Sequence, residues 1–159
     1  MTSQVLSAQS SSLAAWVGLL RGHAALTREL NARLVTQHGL TINDFEALYH
    51  LAHSEDKVMR RVDLAERLLL TPSGVTRLLD GLERAGLVGK ATCATDLRVT
   101  YAVLTDAGRQ RLENAAATHF AAIDALFDGL SEEELDTLAT LLGRLPGAGD
   151  TSIADCTEA

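Results

Sequence analysis

Thr71-Pro-Ser-Gly-Val-Thr-Arg-Leu-Leu-Asp-Gly-Leu-Glu-Arg-Ala-Gly-Leu-Val88 reads as a helix with a defined start, a defined stop and two unlike sides. Thr71 can cap the first unpaired backbone N–H groups. Pro72 fits the first helical position because no hydrogen bond is asked of its nitrogen there, and Gly86 can close the far end. Val75, Leu78, Leu79 and Leu82 recur at i, i+3, i+4 and i+7 as a core stripe, while Ser73, Thr76, Arg77 and Asp80 share the opposite side. That outward side suits a major groove of duplex DNA: hydroxyls bond phosphates or bases, Gly74 allows close approach, and an Arg forks onto guanine O6 and N7. On this stretch alone the plainer reading, a capped amphipathic helix on an all-α surface, carries more weight. The neighbouring sequence shifts the balance.

Leu87 to Cys93 and Val99-Thr-Tyr-Ala-Val-Leu104 flank a short break. Val99, Tyr101 and Val103 alternate with smaller or polar partners at period two, so a β-hairpin follows the helix. At its tip, Ala94-Thr-Asp-Leu-Arg98, a carboxylate stands two residues before a guanidinium, and Asp96 can hold Arg98 outward through a charge-assisted bond. A hairpin beside a recognition helix is a wing, and Arg98 at its tip can enter a minor groove, where narrowness concentrates negative potential. The plainer alternative for that pair is an exposed ion pair.

Together these segments resemble the multiple-antibiotic-resistance regulator (MarR) family of winged helix-turn-helix transcription factors. The likeness rests on Val62-Asp-Leu-Ala-Glu-Arg-Leu68 as the first helix of the reading head and on Thr71-Pro-Ser to Ala85-Gly-Leu-Val88 as the recognition helix. Asp96-Leu-Arg98 supplies the wing signature and Leu104-Thr-Asp-Ala-Gly-Arg109 lies beyond it, so that residues 12 to 145 are covered. Each motif is weak alone; four in the family's order and spacing are specific. Lys90 departs from the pattern, since many relatives carry Arg there; phosphate contact is kept and a bidentate fork is lost. The expected fold is mainly α with a small β-hairpin wing: a winged helix-turn-helix at 41–104, dimerisation helices at 12–36 and 106–145, and flexible tails at 1–11 and 146–159. The DNA-binding residues expected are Thr71, Ser73, Gly74, Thr76, Arg77, Lys90, Asp96 and Arg98.

The composition agrees with one domain: 159 residues, 47% hydrophobic, suffice for a single sizeable core without a separate enzyme domain. Met1 to Ser12 lacks the basic start and long apolar run of a signal peptide, and no apolar run approaches the ~20 residues that span a bilayer. A cytoplasmic protein without membrane contact is therefore expected. The net charge of −7 looks wrong for a nucleic-acid binder until its distribution is read. Residues 57–100 hold eight Lys or Arg against five Asp or Glu, whereas the remainder holds six against sixteen. A locally basic head on an acidic body can bind phosphates through counterion release, with strong salt dependence.

Helical scaffold makes up the rest. Trp16, Leu19, Leu20, His23, Leu26, Leu30 and Leu34 trace an apolar stripe on a helix from Leu13 to about Thr36, longer than one small core needs. Thr41-Ile-Asn-Asp44 resembles a capping box, with Leu40 and Phe45 placed as a hydrophobic staple, for a helix ending near His53. Asp106 to about Asp128 forms another, carrying Leu112, His119, Phe120, Ile123 and Phe127. Ser131-Glu-Glu-Glu134 caps the last, whose apolar side is Leu135, Leu138, Leu142 and Leu145. This surplus of apolar helix suggests a homodimer, which the resemblance also implies; a monomer with a larger core is the alternative.

The resemblance further implies a small effector, often phenolic or otherwise aromatic, bound between dimerisation helices and head. Trp16 and Asp63 loosely match the aromatic and acidic positions of the urate-responsive branch, although a Trp on an apolar helical side is more often core and an Asp in a first turn often answers the helix dipole. Oxidant sensing finds no Cys near the start of the first helix; Cys93 reads as a small buried filler and Cys156 lies in the tail. Glu46, His50 and His53 share a helical side, with His38 and His119 as candidates to join them, yet scattered histidines are usually surface or partner-bonded, so no metal or other cofactor is expected. No nucleophile with a base, paired carboxylates or phosphate-cradling Gly loop points to an enzyme; the glycines at 81, 86, 89 and 108 punctuate helix and hairpin. A winged-helix module that binds protein instead of DNA is the remaining alternative, against which Arg77 and Arg98 speak.

Overall fold

The computed structural model describes residues 11–92 and 99–146. Helices α1 (Ser11–His38), α2 (Ile42–Ala52), α3 (Arg61–Arg67), α4 (Pro72–Arg84), α5 (Asp106–Phe127) and α6 (Glu132–Gly143) alternate with strands β1 (Val58–Arg60), β2 (Val88–Thr92) and β3 (Thr100–Leu104). Residues up to 122 form one compact unit, and those from 123 form a second that holds the end of α5 and all of α6.

Local chemistry sets the helix boundaries. Thr41 Oγ1 accepts from the Asp44 N–H at 3.2 Å and Asp44 accepts from the Thr41 N–H at 2.8 Å, the anticipated capping box of α2. Ser131 and Glu134 repeat it at the head of α6. Thr71 caps α4 by accepting from the Gly74 N–H at 3.1 Å, with Pro72 in the first position. Gly86, at φ +73°, ends α4 in a Schellman turn: its N–H bonds Glu83 O while the Leu87 N–H bonds Leu82 O. Helix α3 stops the same way, through Leu69 N–H to Glu66 O and Leu70 N–H to Ala65 O. Here, however, Leu69 itself takes the left-handed position, at φ +53°.

In the first unit, α2 carries the centre of the core, burying Phe45, Ala47, Leu48 and Leu51. They share one cluster with Leu34 of α1, Leu64 of α3, Val75, Leu79 and Leu82 of α4, and Leu112 and Ala115 of α5. Each Leu removed from water contributes about 1.5–3 kcal/mol. The Asn31 side chain accepts from the Ile42 N–H at 3.0 Å and ties α1 to the start of α2.

One expectation changes. The sheet has three strands in the order β1-β3-β2, where the sequence indicated a hairpin alone. Strand β3 pairs antiparallel with β2 from Val88↔Leu104 to Thr92↔Thr100, and with β1 from Val58↔Val103 to Arg60↔Tyr101. Ala102 and Leu104 of β3 are buried, while Tyr101 and Val103, like Val99 just before the strand, are half-exposed. The strand packs on α2, and compact Ala102 suits that close contact.

Much of the apolar surface has no cover. Of its stripe α1 buries Leu34 alone, leaving Leu13, Trp16, Val17, Leu19 and Leu20 exposed. Trp16, for which a core position was the plainer reading, is 56% exposed. In the second unit α6 buries none of its residues, and Leu141 and Leu142 are exposed. No helix among the described residues is long and apolar enough to cross a membrane.

Candidate nucleic-acid interface

The first two turns of α4 present a fixed set of polar groups. Thr71, Ser73, Thr76 and Arg77 are all exposed, and the reverse side is anchored by Val75, Leu79 and Leu82. Thr71 Oγ1 lies 3.2 Å from Ser73 Oγ, so the cap and the next hydroxyl form one polar step. Thr76 donates its hydroxyl proton to Pro72 O at 2.8 Å. What Thr76 shows outward is therefore an acceptor oxygen and a methyl group, which fit an adenine N6 or cytosine N4 donor or a thymine methyl rather than a phosphate. Arg77 makes no hydrogen bond or ion pair with any described residue, and its guanidinium remains available for a base edge.

Two anticipated contributors also have structural contacts within the head. A β-carbon on Gly74 would lie 3.2 Å from Thr71 Oγ1 and 3.6 Å from Leu70 Cβ. The bare Cα thus lets the capping hydroxyl approach. Lys90, expected at a phosphate, reaches back from β2 to α4, with Nζ 2.7 Å from Glu83 Oε2 and 3.4 Å from Asp80 Oδ1. The hydrogen bond to Glu83 leads the causes that hold its ammonium above the ordinary lysine range. The residues missed in sequence are these two carboxylates. Spacing shows three-apart acids on α4, but not that a strand lysine ten positions from Asp80 folds onto them.

The Leu104 to Arg109 motif proves to be a joint. Thr105 Oγ1 donates to Gly86 O at 2.7 Å and accepts from the Gly108 N–H at 3.0 Å, while the Thr105 N–H bonds Leu87 O at 3.2 Å. A β-carbon on Gly108 would overlap the Leu87 carbonyl oxygen, so Gly108 serves close packing inside α5 and does not punctuate it. The head's turn after α4 is thereby fastened to the first turn of α5.

Asp96 and Arg98 at the wing tip, Cys93 beside them and Cys156 lie outside the described residues. The effector pair is not brought together by any described contact. Trp16 stands exposed on α1, and Asp63 is held by both Arg60 Nε at 2.9 Å and Arg60 Nη2 at 2.8 Å, a fork whose hydrogen bonding lowers the Asp63 pKa. Nor do the histidines converge. His119 is buried with its ring centroid 4.4 Å from that of Phe45, and burial lowers its pKa. His38 Nε2 bonds Thr118 Oγ1 at 2.6 Å, and the His53 ring lies tilted against Tyr49 with centroids 4.2 Å apart. Among the described residues no three His, Cys, Asp or Glu gather as a metal site.

A model of the MarR family matches residues 38–98. The transcriptional regulator MhqR of Bacillus subtilis (strain 168) is 30% identical over 134 residues, covering 84% of this chain and 90% of its own length. The chain belongs to the MarR family. Among solved MarR regulators, AbsC from Streptomyces coelicolor superposes with a TM-score of 0.77 at 32% identity, covering 85% of this chain and 92% of that one. Sco3205 from the same organism, solved in complex with DNA, gives 0.75 at 28% identity over 80% of each chain. Like these MarR relatives, the chain is a transcriptional regulator with a winged-helix head and not an enzyme.

Proposed function

We propose that this MarR-family regulator is a homodimeric repressor that binds a pseudo-palindromic operator in duplex DNA and blocks the promoter beneath it. Helix α4 enters the major groove with Thr71, Ser73, Thr76 and Arg77, while Arg98, oriented by Asp96, reads the adjacent minor groove. The observation that carries this reading is the exposed Arg77, without a partner among the described residues, beside the acceptor face of Thr76 on a helix whose reverse side is locked into the core. Dimerisation is supported by the uncovered leucines and Trp16 of α1 and, separately, by those of α6. A two-fold pair would set its recognition helices about 34 Å apart, one turn of DNA. The resemblance supplies a small aromatic ligand as the releasing signal; one drawn to Asp63 must displace the Arg60 fork.

Selection from a random duplex pool tests the proposal. Enrichment of a two-fold motif about two helical turns long supports it, and no enrichment at any salt concentration overturns it. On the enriched site, Arg77→Ala should cost about 1–3 kcal/mol and relax preference at particular base pairs, read out by repeating the selection with the variant.

A further inference from the structure

Between α3 and the start of α4 runs a groove of about 600 Å³ that the contacts above leave unused. Its walls are largely apolar: Val62 is exposed, Leu69 is 92% exposed, and Leu70 and Pro72 continue the surface toward Thr76. Arg61 and Glu66 also line it. The Arg61 Nη2 atom is buried and has no hydrogen-bond partner among the described residues, although Glu66 borders the same groove. A buried donor without a partner is costly in the free protein, and natural folds rarely keep one without a use.

Thr76 belongs both to this groove and to the outward side of α4. With α4 in a major groove, the strand that borders the major groove on that side passes over the α3–α4 groove. Such a strand offers deoxyribose C–H surface to Val62, Leu69 and Pro72, and phosphate oxygens to a guanidinium. We infer that Arg61 is a further DNA-binding residue, a phosphate anchor contributed by α3 whose half-exposed side chain turns its buried guanidinium end outward on binding, with the groove as its sugar-phosphate track. The inference rests on the DNA-binding reading above. Arg61 contacts backbone and not bases, so it holds the head in register without selecting sequence. Glu66 opposes the phosphate charge and sets how tightly the strand is held.

The test measures affinity for the selected operator and for an unrelated duplex across a salt series, with thermal unfolding recorded alongside. Arg61→Met keeps the aliphatic stem and removes the orphan donor. Binding to both duplexes should weaken about tenfold, and the slope of log affinity against log salt should fall by about 0.9, one phosphate contact. The melting temperature should hold or rise, because a buried unpaired N–H is gone; a merely structural arginine would lower it instead. Glu66→Gln should tighten both complexes. Wild-type slope and affinity in Arg61→Met, while wild type binds its operator normally, overturn the anchor and leave the DNA-binding reading standing. Failure of the wild type to bind any duplex overturns both.

Discussion

A β-carbon on Gly108 has nowhere to go, since the Leu87 carbonyl oxygen and the Leu104 side chain already occupy its place. Backbone on one side and a core leucine on the other leave no flexible group to yield. Gly108→Ala should therefore destabilise the fold by about 1–3 kcal/mol or more, seen as a lower urea midpoint with an unchanged slope. Leu69 presents the converse case. It holds the left-handed position that Gly39 and Gly86 fill elsewhere, and it is almost wholly exposed. Leu69→Gly relieves backbone strain at little loss of packing and should stabilise by about 0.5–1 kcal/mol, measured by thermal unfolding. Neither residue was legible in sequence. A helical glycine looks the same whether it ends an element or admits a distant carbonyl, and a leucine in a leucine run gives no sign of a positive φ.

Elements with a period and a cap were readable. Helix α4 was, from Thr71, Pro72 and Gly86 with the Val75 to Leu82 stripe, and α2 was, from its capping box. Strand β1 was not: three residues between charged neighbours carry no alternation, and what makes them a strand is the free edge of β3. The alternation that marked β3 as a strand did not say which side packs inward; contact with α2 selects the smaller Ala102 and with it Leu104. The outward residues of α4 were legible because they interrupt an apolar period, whereas the Lys90 contacts depend on how β2 returns beside α4. With its ammonium already matched by Glu83 and Asp80, Lys90 releases few counterions on DNA binding. Lys90→Met should lower the salt slope by much less than the ~0.9 of a free phosphate contact. A full loss measured in a salt titration would show that the lysine leaves its carboxylates for the DNA.

For the whole molecule, charge and protonation act on stability together. His119 and His50 both have lowered pKa values through burial, and for His50 nearby Arg67 and His53 lower it further. A histidine whose proton is disfavoured by folding binds more protons when unfolded. The contribution of these two histidines to stability therefore rises with pH up to the ordinary histidine value of about 6.5 and levels off above it, while Glu46, whose pKa desolvation raises, acts in the opposite sense at lower pH. His119→Phe, which keeps a ring against Phe45 and Phe120, should flatten part of that rise in melting temperatures taken from about pH 5 to 8. An unchanged profile would assign the dependence to other groups.

The joint formed by Gly86, Leu87, Thr105 and Gly108 also has a mechanical meaning. It clamps the root of the hairpin to the opening turn of α5 without a slack residue between them. The first turn of α5 and the root of the hairpin are thereby tied as one pivot, so that neither can shift without straining the Leu87 and Thr105 contacts.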